Sequence, residues 1–181
     1  MFGGSGRSRQ KKFRGQDYNA ELKLSLTDAM ETHPQTLALN GKNVRITIPA
    51  GVENGQVIKL KGYGAPGTNG GPAGDLFITF SIAPHPKFNR SGNDLFSNTA
   101  IDLYTAVLGG ETTIETLKGK ILLKVNPGTQ PGTKIRLKGK GFPVYKKEGE
   151  YGDLYVTYEV KLPTTLSEKQ KALFLELKKL N

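Results

Sequence analysis

The chain of 181 residues contains no cysteine, only two histidines and no long run of apolar residues. Without cysteine it cannot form disulfides, thiolate metal sites or cysteine nucleophiles. Its longest apolar runs, such as the one from Ile121 to Leu123, are far shorter than the roughly 20 residues that span a bilayer. The glycine-rich start also lacks the apolar segment of a signal peptide. These absences predict a cytoplasmic protein without a membrane partner.

The charged residues are unevenly distributed. The chain has 26 Lys and Arg against 16 Asp and Glu, a net charge of +10, and residues 1–16 hold five basic residues and no acidic one. A segment this polar cannot bury enough apolar surface to fold, so we expect residues 1–16 to be disordered. The basic balance is also typical of DNA-binding proteins, but the basic residues are not interleaved with aromatic side chains as on a base-stacking surface.

An internal duplication organises the rest of the chain. Four residues recur 77 positions later: Ile58, Leu60, Gly62 and Gly64 return as Ile135, Leu137, Gly139 and Gly141. At a spacing of 78, Gly74-Asp75-Leu76 returns as Gly152-Asp153-Leu154. Such a repeat indicates two copies of one fold. We therefore expect homologous domains at residues 17–86 and 94–163, a linker at 87–93 and a C-terminal helical segment at 164–181.

Within each copy, apolar residues alternate with polar ones, which is the pattern of half-buried strands. Leu76, Ile78 and Phe80, for example, fall on one face of such a strand. Short helical turns are expected only from Thr27 to Met30 and from Leu103 to Leu108. The predicted fold class is therefore mainly β, with two tandem small β-sandwich or barrel domains followed by a C-terminal helix.

The C-terminal segment carries the signals of an amphipathic helix. Ser167 and Gln170 have the spacing of a capping box, which predicts a helix over residues 168–180. Its apolar stripe consists of Leu173, Phe174, Leu177 and Leu180. A helix of this length is marginal on its own and needs a docking surface. That surface is either its own domain or a second chain.

Three features look like chemical motifs but fit structural roles better. The segment from Gly62 to Gly67 has G-x-G-x-x-G spacing, yet the prolines around it prevent the helix that a dinucleotide site requires. His33 and His85 both precede proline and have no ligand cluster near them, which argues against a metal site or a catalytic triad. Asp75 and Asp153 recur at equivalent strand starts, which favours a turn role. The sequence therefore predicts no enzyme activity, no catalytic or metal-binding residue and no cofactor.

The two copies differ at positions that bear on function. Leu22 and Leu39 of the first copy align with Thr99 and Thr116 of the second. Positions that are apolar in both copies indicate a core, whereas positions that are apolar only in the first indicate an additional apolar surface. That surface is either a contact between the two domains or a groove for an apolar ligand.

Several runs of residues resemble a known family. They are Ile48-Pro49-Ala50-Gly51-Val52-Glu53-Asn54-Gly55, Ile58-Lys59-Leu60-Lys61-Gly62-Tyr63-Gly64 and Asn126-Pro127-Gly128-Thr129-Gln130-Pro131-Gly132. Through them the chain resembles the two C-terminal domains of DnaJ-type J-domain co-chaperones, the heat-shock protein 40 family. The sequence has neither a J-domain with its His-Pro-Asp loop nor a cysteine-rich zinc insert. It therefore resembles the C-terminal fragment of the zinc-free class, which includes a curved-DNA-binding member, and residues 1–16 resemble a glycine-rich linker remnant.

This resemblance implies that the first domain holds unfolded client polypeptides in an apolar groove and delivers them to the ATPase chaperone DnaK. The groove positions carried over from the family are Ala20, Leu22, Leu37, Leu39 and Ile78. The resemblance also implies a homodimer formed by the C-terminal helix through Leu173, Phe174, Leu177 and Leu180.

Two further points stay open under the resemblance. In some relatives, lysines beside the groove receive the acidic C-terminus of the partner chaperone. The matching positions here are Gln35 and Gly41, with Lys42 adjacent, so this contact is an open question for this chain. The alternative function is a basic DNA-binding module of the curved-DNA-binding type, with DNA as the partner.

Overall fold

The computed structural model describes residues 11–39 and 41–180. Short strands joined by turns make up most of it, so the prediction of a mainly β fold is confirmed. The strands are β1 (Tyr18–Leu24), β2 (His33–Leu39), β3 (Lys42–Ile48), β4 (Val57–Leu60), β5 (Leu76–Ile82), β6 (Asn89–Ser91), β7 (Asp94–Asp102), β8 (Gly110–Thr116), β9 (Gly119–Val125), β10 (Lys134–Leu137) and β11 (Leu154–Lys161). The α-helices are α1 (Leu103–Leu108) and α2 (Glu168–Lys178), and a 3-10 turn (Asp28–Met30) follows β1.

The chain divides into two compact units, of which the first runs to His85 and includes Tyr145–Lys147. Its main sheet has the strand order β1-β5-β4, with β1 parallel and β4 antiparallel to β5. Strands β2 and β3 form a separate antiparallel hairpin. Alternate residues of β1, β3 and β5 are buried, so one face of the sheet and one face of the hairpin enclose the core.

The second unit comprises Pro86–Val144 and the chain from Glu148 onward. Its sheet has the order β10-β11-β7-β6, in which β7 and β11 are parallel, and β8 and β9 form a hairpin. The most deeply buried side chains come from both layers and from the loop after β10: Leu95, Ile114, Val125, Phe142, Leu154 and Val156. The second unit is therefore also a small two-layer β structure.

The internal duplication appears as a shared strand framework. The parallel pair β1–β5 corresponds to the parallel pair β7–β11. Tyr18 donates its N–H to the carbonyl oxygen of Asp75 at 2.8 Å, and Leu95 donates to that of Asp153 at 2.9 Å. The repeated residues thus make the same main-chain bond in both units.

The carboxylates of Asp75 and Asp153 hold equivalent turns, which confirms their predicted turn role. Asp75 accepts a hydrogen bond from the N–H of Gly62 at 2.9 Å, and Asp153 accepts one from Gly139 at 2.8 Å. Lys59 Nζ lies 2.8 Å from the Asp75 carboxylate. Its hydrogen bond is the main reason that the pKa of Asp75 is lowered, followed by the bond from Gly62. The N–H of Gly139 is the main cause of the lowered pKa of Asp153.

Residues 11–16 differ from the expected disordered tail, while residues 1–10 lie outside the described part of the chain. Phe13 and Thr68 exchange main-chain hydrogen bonds of 3.2 and 3.0 Å, and Arg14 contacts the carboxylate of Asp75 at 2.7 Å. A Cβ atom on Gly74 would lie 2.0 Å from the carbonyl oxygen of Gln16. Close main-chain packing over glycine and an ion pair therefore order a segment whose one large apolar residue, Phe13, is exposed.

The segment 87–93, which was expected to be a linker, contains a strand. β6 pairs with the start of β7 through Asn89↔Phe96 and Ser91↔Asp94. Gly92, in the two-residue turn, has φ 60°, a conformation that such hairpin turns require.

Both helices have clear end signals. Asp102 caps α1 by accepting a hydrogen bond from the N–H of Thr105 at 2.9 Å. The predicted capping box of α2 is confirmed, because Ser167 and Gln170 bond each other's main chain reciprocally. No residue of α2 is buried, so this helix exposes most of its surface.

Candidate functional site

The predicted groove residues on β1 and β5 lie on the inner face of the first unit's sheet. Ala20 and Ile78 are direct neighbours in the parallel register. Ile78 is fully buried and Leu22 is 9% exposed, whereas Ala20 is half-buried. Ile78 therefore belongs to the core, and Ala20 is the residue of these three that reaches the surface.

The predicted groove residues on β2 form a second set. Leu37 and Leu39 are both half-buried and lie on the same face of the hairpin. Leu37 is opposite the buried residue Val44 on β3. The structure thus groups the five residues into a sheet set, of which Ala20 reaches the surface, and a hairpin set, of which both members do.

The half-buried members of both sets, Ala20 on β1 and Leu37 and Leu39 on β2, lie on strands with an unpaired edge. β1 is the outer strand of its sheet, and β2 pairs only with β3 in the part of the chain that the structure describes. Pro34 is compatible with β2 because a proline, which has no N–H, is tolerated on an edge strand. Unpaired main-chain donors and acceptors at such edges can bind an added extended strand.

The positions matched to the family's lysines do not form a cationic site here. Gln35 is half-buried on β2, and Gly41 lies in the β2–β3 turn with φ 79°. Neither residue carries a charge. The side chain of Lys42, the adjacent cation, lies outside what the structure describes.

The C-terminal helix borders an open apolar cleft of about 530 Å³ in the second unit. The four predicted association residues line it together: Leu173, Phe174, Leu177 and Leu180. Helix α1 contributes residues that sequence analysis did not identify as functional: Tyr104, Val107 and Leu108. Their spacing of three and four residues, which places them on one helical face, was the available signal. Because Leu108 is 73% and Leu177 is 59% exposed, both walls of the cleft face solvent.

His33, the first residue of β2, makes a local contact. Its Nδ1 lies 3.0 Å from the carbonyl oxygen of Glu31, two residues earlier in the chain. Among the described residues, no group of three His, Cys, Asp or Glu side chains is placed to hold a metal ion. Within the same residues, no helix combines the length and the apolar character needed to cross a membrane.

Comparison with known proteins finds similarity over most of the chain. The family model described as the DnaJ C terminal domain matches residues 18–163. The chain is 49% identical over 140 residues to the "Chaperone protein DnaJ" of Caldicellulosiruptor bescii, a match that covers 77% of this chain and 36% of that protein. It is 44% identical over 138 residues to the protein of the same name from Lachnospira eligens, covering 76% and 37% of the two chains. The chain therefore spans little more than a third of the length of these relatives.

Proposed function

Because the chain belongs to the family of the DnaJ C terminal domain, we propose that it is the client-binding region of a co-chaperone. Its first unit binds extended, apolar segments of unfolded polypeptides and delivers them to a DnaK-type ATPase chaperone. The observation that carries the proposal is the pair of edge strands, β1 and β2, each with one unpaired edge and with half-buried apolar side chains.

An extended client segment matches this surface in two ways. Its main chain pairs with an open strand edge, and its apolar side chains contact Ala20, Leu37 and Leu39. Ile78 acts from beneath as part of the core that fixes β5 and, through the parallel register, Ala20. Each large client side chain that becomes fully buried contributes about 1.5–3 kcal/mol. Ordering of the client reduces this gain, so binding at one groove is weak and release is fast.

Association of two chains strengthens this weak binding. The four apolar residues of α2 and those of α1 face solvent across the cleft, and a second copy of the chain is the occupant we propose. A homodimer presents two first-unit grooves to the same client. Joining two weak sites in this way raises the overall affinity by about 10²–10⁴ when one client reaches both.

The function is tested by suppression of client aggregation. We expect the chain to slow the aggregation of a thermally unfolded model protein, and Leu39→Asp to weaken this effect because the added charge opposes apolar contacts. Leu122→Asp is the matched control, since Leu122 is a 61% exposed leucine on β9 of the other unit. Thermal unfolding of both variants verifies that each is folded.

The outcomes separate the groove assignment from the function. Equal activity of Leu39→Asp and wild type would contradict the groove assignment. Failure of the wild-type chain to slow aggregation at any ratio to the client would contradict client binding itself. Transfer is measured separately by the rate at which a fluorescent client passes from this chain to ATP-bound DnaK.

A further inference from the structure

The second unit contains a polar cleft that no part of the proposed function uses. It has a volume of about 310 Å³. Its polar lining comes from β7, β8 and the chain before β6: Ser97, Asn98, Thr99, Thr113, Lys87 and Glu115. The cleft thus lies between two strands that occupy the same places in the second unit as β1 and β2 in the first.

The edge of β7 at this cleft is unpaired. Leu95 donates its N–H to the carbonyl oxygen of Asp153, on the side of β7 that faces β11. Because main-chain groups alternate in direction along a strand, those of Phe96, Asn98 and Ala100 point away from β11. β6 pairs with that side only as far as Phe96. On the side of β7 away from β11, no strand of the described chain lies beside Asn98 and Ala100, and β8 pairs only with β9. These positions complement the main chain of another extended segment.

The side chains around this edge are hydroxylated where those of the first unit are apolar. Ser97 and Thr99 take the places of Ala20 and Leu22. Tyr158, the register neighbour of Thr99, replaces Phe80, and its buried hydroxyl has no hydrogen-bond partner among the described residues. An apolar side chain entering this cleft would cover hydroxyl groups without satisfying them, which is unfavourable.

The charges of the cleft neutralise each other. Lys87 and Glu115 form an ion pair across it. The hydrogen bond and charge of Lys87 hold the pKa of Glu115 below its usual range. A charged side chain of either sign would meet one like charge in this pair, whereas an uncharged polar side chain would meet none.

We propose that the second unit binds an extended polypeptide segment whose cleft-facing side chains are uncharged and polar, namely Ser, Thr, Asn or Gln. The segment pairs with the open edge of β7 at Asn98 and Ala100. Ser97, Thr99 and Thr113 exchange hydrogen bonds with its side chains. This site is separate from the first-unit groove and has the opposite side-chain preference.

The test uses two labelled peptides and the whole chain. One peptide alternates Thr and Gln, and its partner has Val and Leu at the same positions. Fluorescence anisotropy measures affinity, and amide NMR shifts identify the bound strand. We expect the polar peptide to shift the amides of Asn98 and Ala100 and the apolar peptide to leave them unchanged.

Two variants of β7 extend the test. Ala100→Pro removes an N–H that points to the open edge, and we expect polar-peptide binding to weaken about fivefold, which corresponds to the loss of one hydrogen bond. The double variant Ser97→Ala, Thr99→Leu copies the first unit and should reverse the preference toward the apolar peptide. It keeps every main-chain group, so it remains informative if Ala100→Pro does not fold.

A matched control distinguishes this site from the first-unit groove. Ala20→Ser, Leu22→Thr makes the opposite exchange in the first unit and should leave unchanged the amide shifts that the polar peptide causes at Asn98 and Ala100. If the apolar peptide shifts the β7 amides more than the polar one does, or if neither peptide shifts them, the proposal is wrong. If the apolar peptide fails to bind the first unit while the polar peptide still shifts the β7 amides, the proposed function is contradicted and the proposal for the second unit is supported.

Discussion

Replacement of Leu177 by alanine tests whether the α1–α2 cleft is an association surface. Leu177 lines the cleft and is 59% exposed, so a second copy covering this face would remove much of the side chain from water. The substitution deletes three carbon groups worth about 0.8 kcal/mol each on full burial; scaled to the exposed fraction, the loss is about 1.4 kcal/mol per protomer. A symmetric dimer contains the residue twice, so we expect the dimer Kd to rise about 100-fold.

Leu175 provides the matched control for this measurement. It is 53% exposed on the same helix but does not line the cleft. Leu175→Ala makes the same chemical change with the same effect on helix propensity, so it should leave the Kd unchanged. Sedimentation equilibrium over a range of concentrations measures both variants. Equal shifts of the two variants, or a wild-type chain that stays monomeric throughout, would refute the reasoning.

Three further predictions concern stability, measured by urea unfolding. The pKa of Asp75 is lowered chiefly by its hydrogen bond with Lys59, so its stabilising contribution is present above the unfolded pKa and disappears as the pH falls through the folded value. Asp75→Asn should therefore destabilise most at pH 7 and least when the pH is below that folded value. Gly74→Ala should cost roughly 1–3 kcal/mol, because its Cβ would lie 2.0 Å from the Gln16 carbonyl oxygen; a cost under about 0.5 kcal/mol would contradict the packing. Phe142→Ala, at a fully buried site, should cost about 3–5 kcal/mol, and a neutral result would contradict its place in the core.

The parts of the fold that rest on local periodicity could be predicted from the sequence. The alternating residues Leu76, Ile78 and Phe80 fall on β5, and the helical turn expected from Leu103 to Leu108 matches α1. Side-chain alternation and helix caps are properties of neighbouring residues, so they can be recognised without tertiary structure.

The parts that depend on distant partners could not be predicted in this way. Residues 11–16 carry no apolar pattern, and their order comes from Arg14 reaching Asp75, 61 residues away. β6 is only three residues long and exists because a tight turn brings it beside β7. In both cases the stabilising contact lies outside the window of a sequence pattern.

The candidate sites show the same limit. Comparison of the two copies identified Leu22 as apolar only in the first copy, but it could not predict how far the side chain is buried. In the structure Leu22 is only 9% exposed, and Phe80 and Ile78 in the same sheet are fully buried. The apolar residues of α1 were assigned only to a short helix, because their exposure depends on what the rest of the unit leaves uncovered. The sequence therefore shows whether a side chain is apolar or polar, whereas its exposure to solvent depends on how the sheets, hairpins and helices pack.

The duplication explains why the two units can have different binding preferences on one framework. Asp75 and Asp153 each bond main-chain groups within their own unit, so a change there weakens the fold. The edge strands β1 and β7 also carry side chains that are only half-buried, such as Ala20 and Ser97. Exchanging a methyl for a hydroxyl at those positions alters what the edge can bind without breaking a main-chain bond. Under the two proposals above, the edge of β1 takes an apolar stretch of a polypeptide and the edge of β7 takes a polar stretch, so polypeptides that contain both kinds of stretch should bind best.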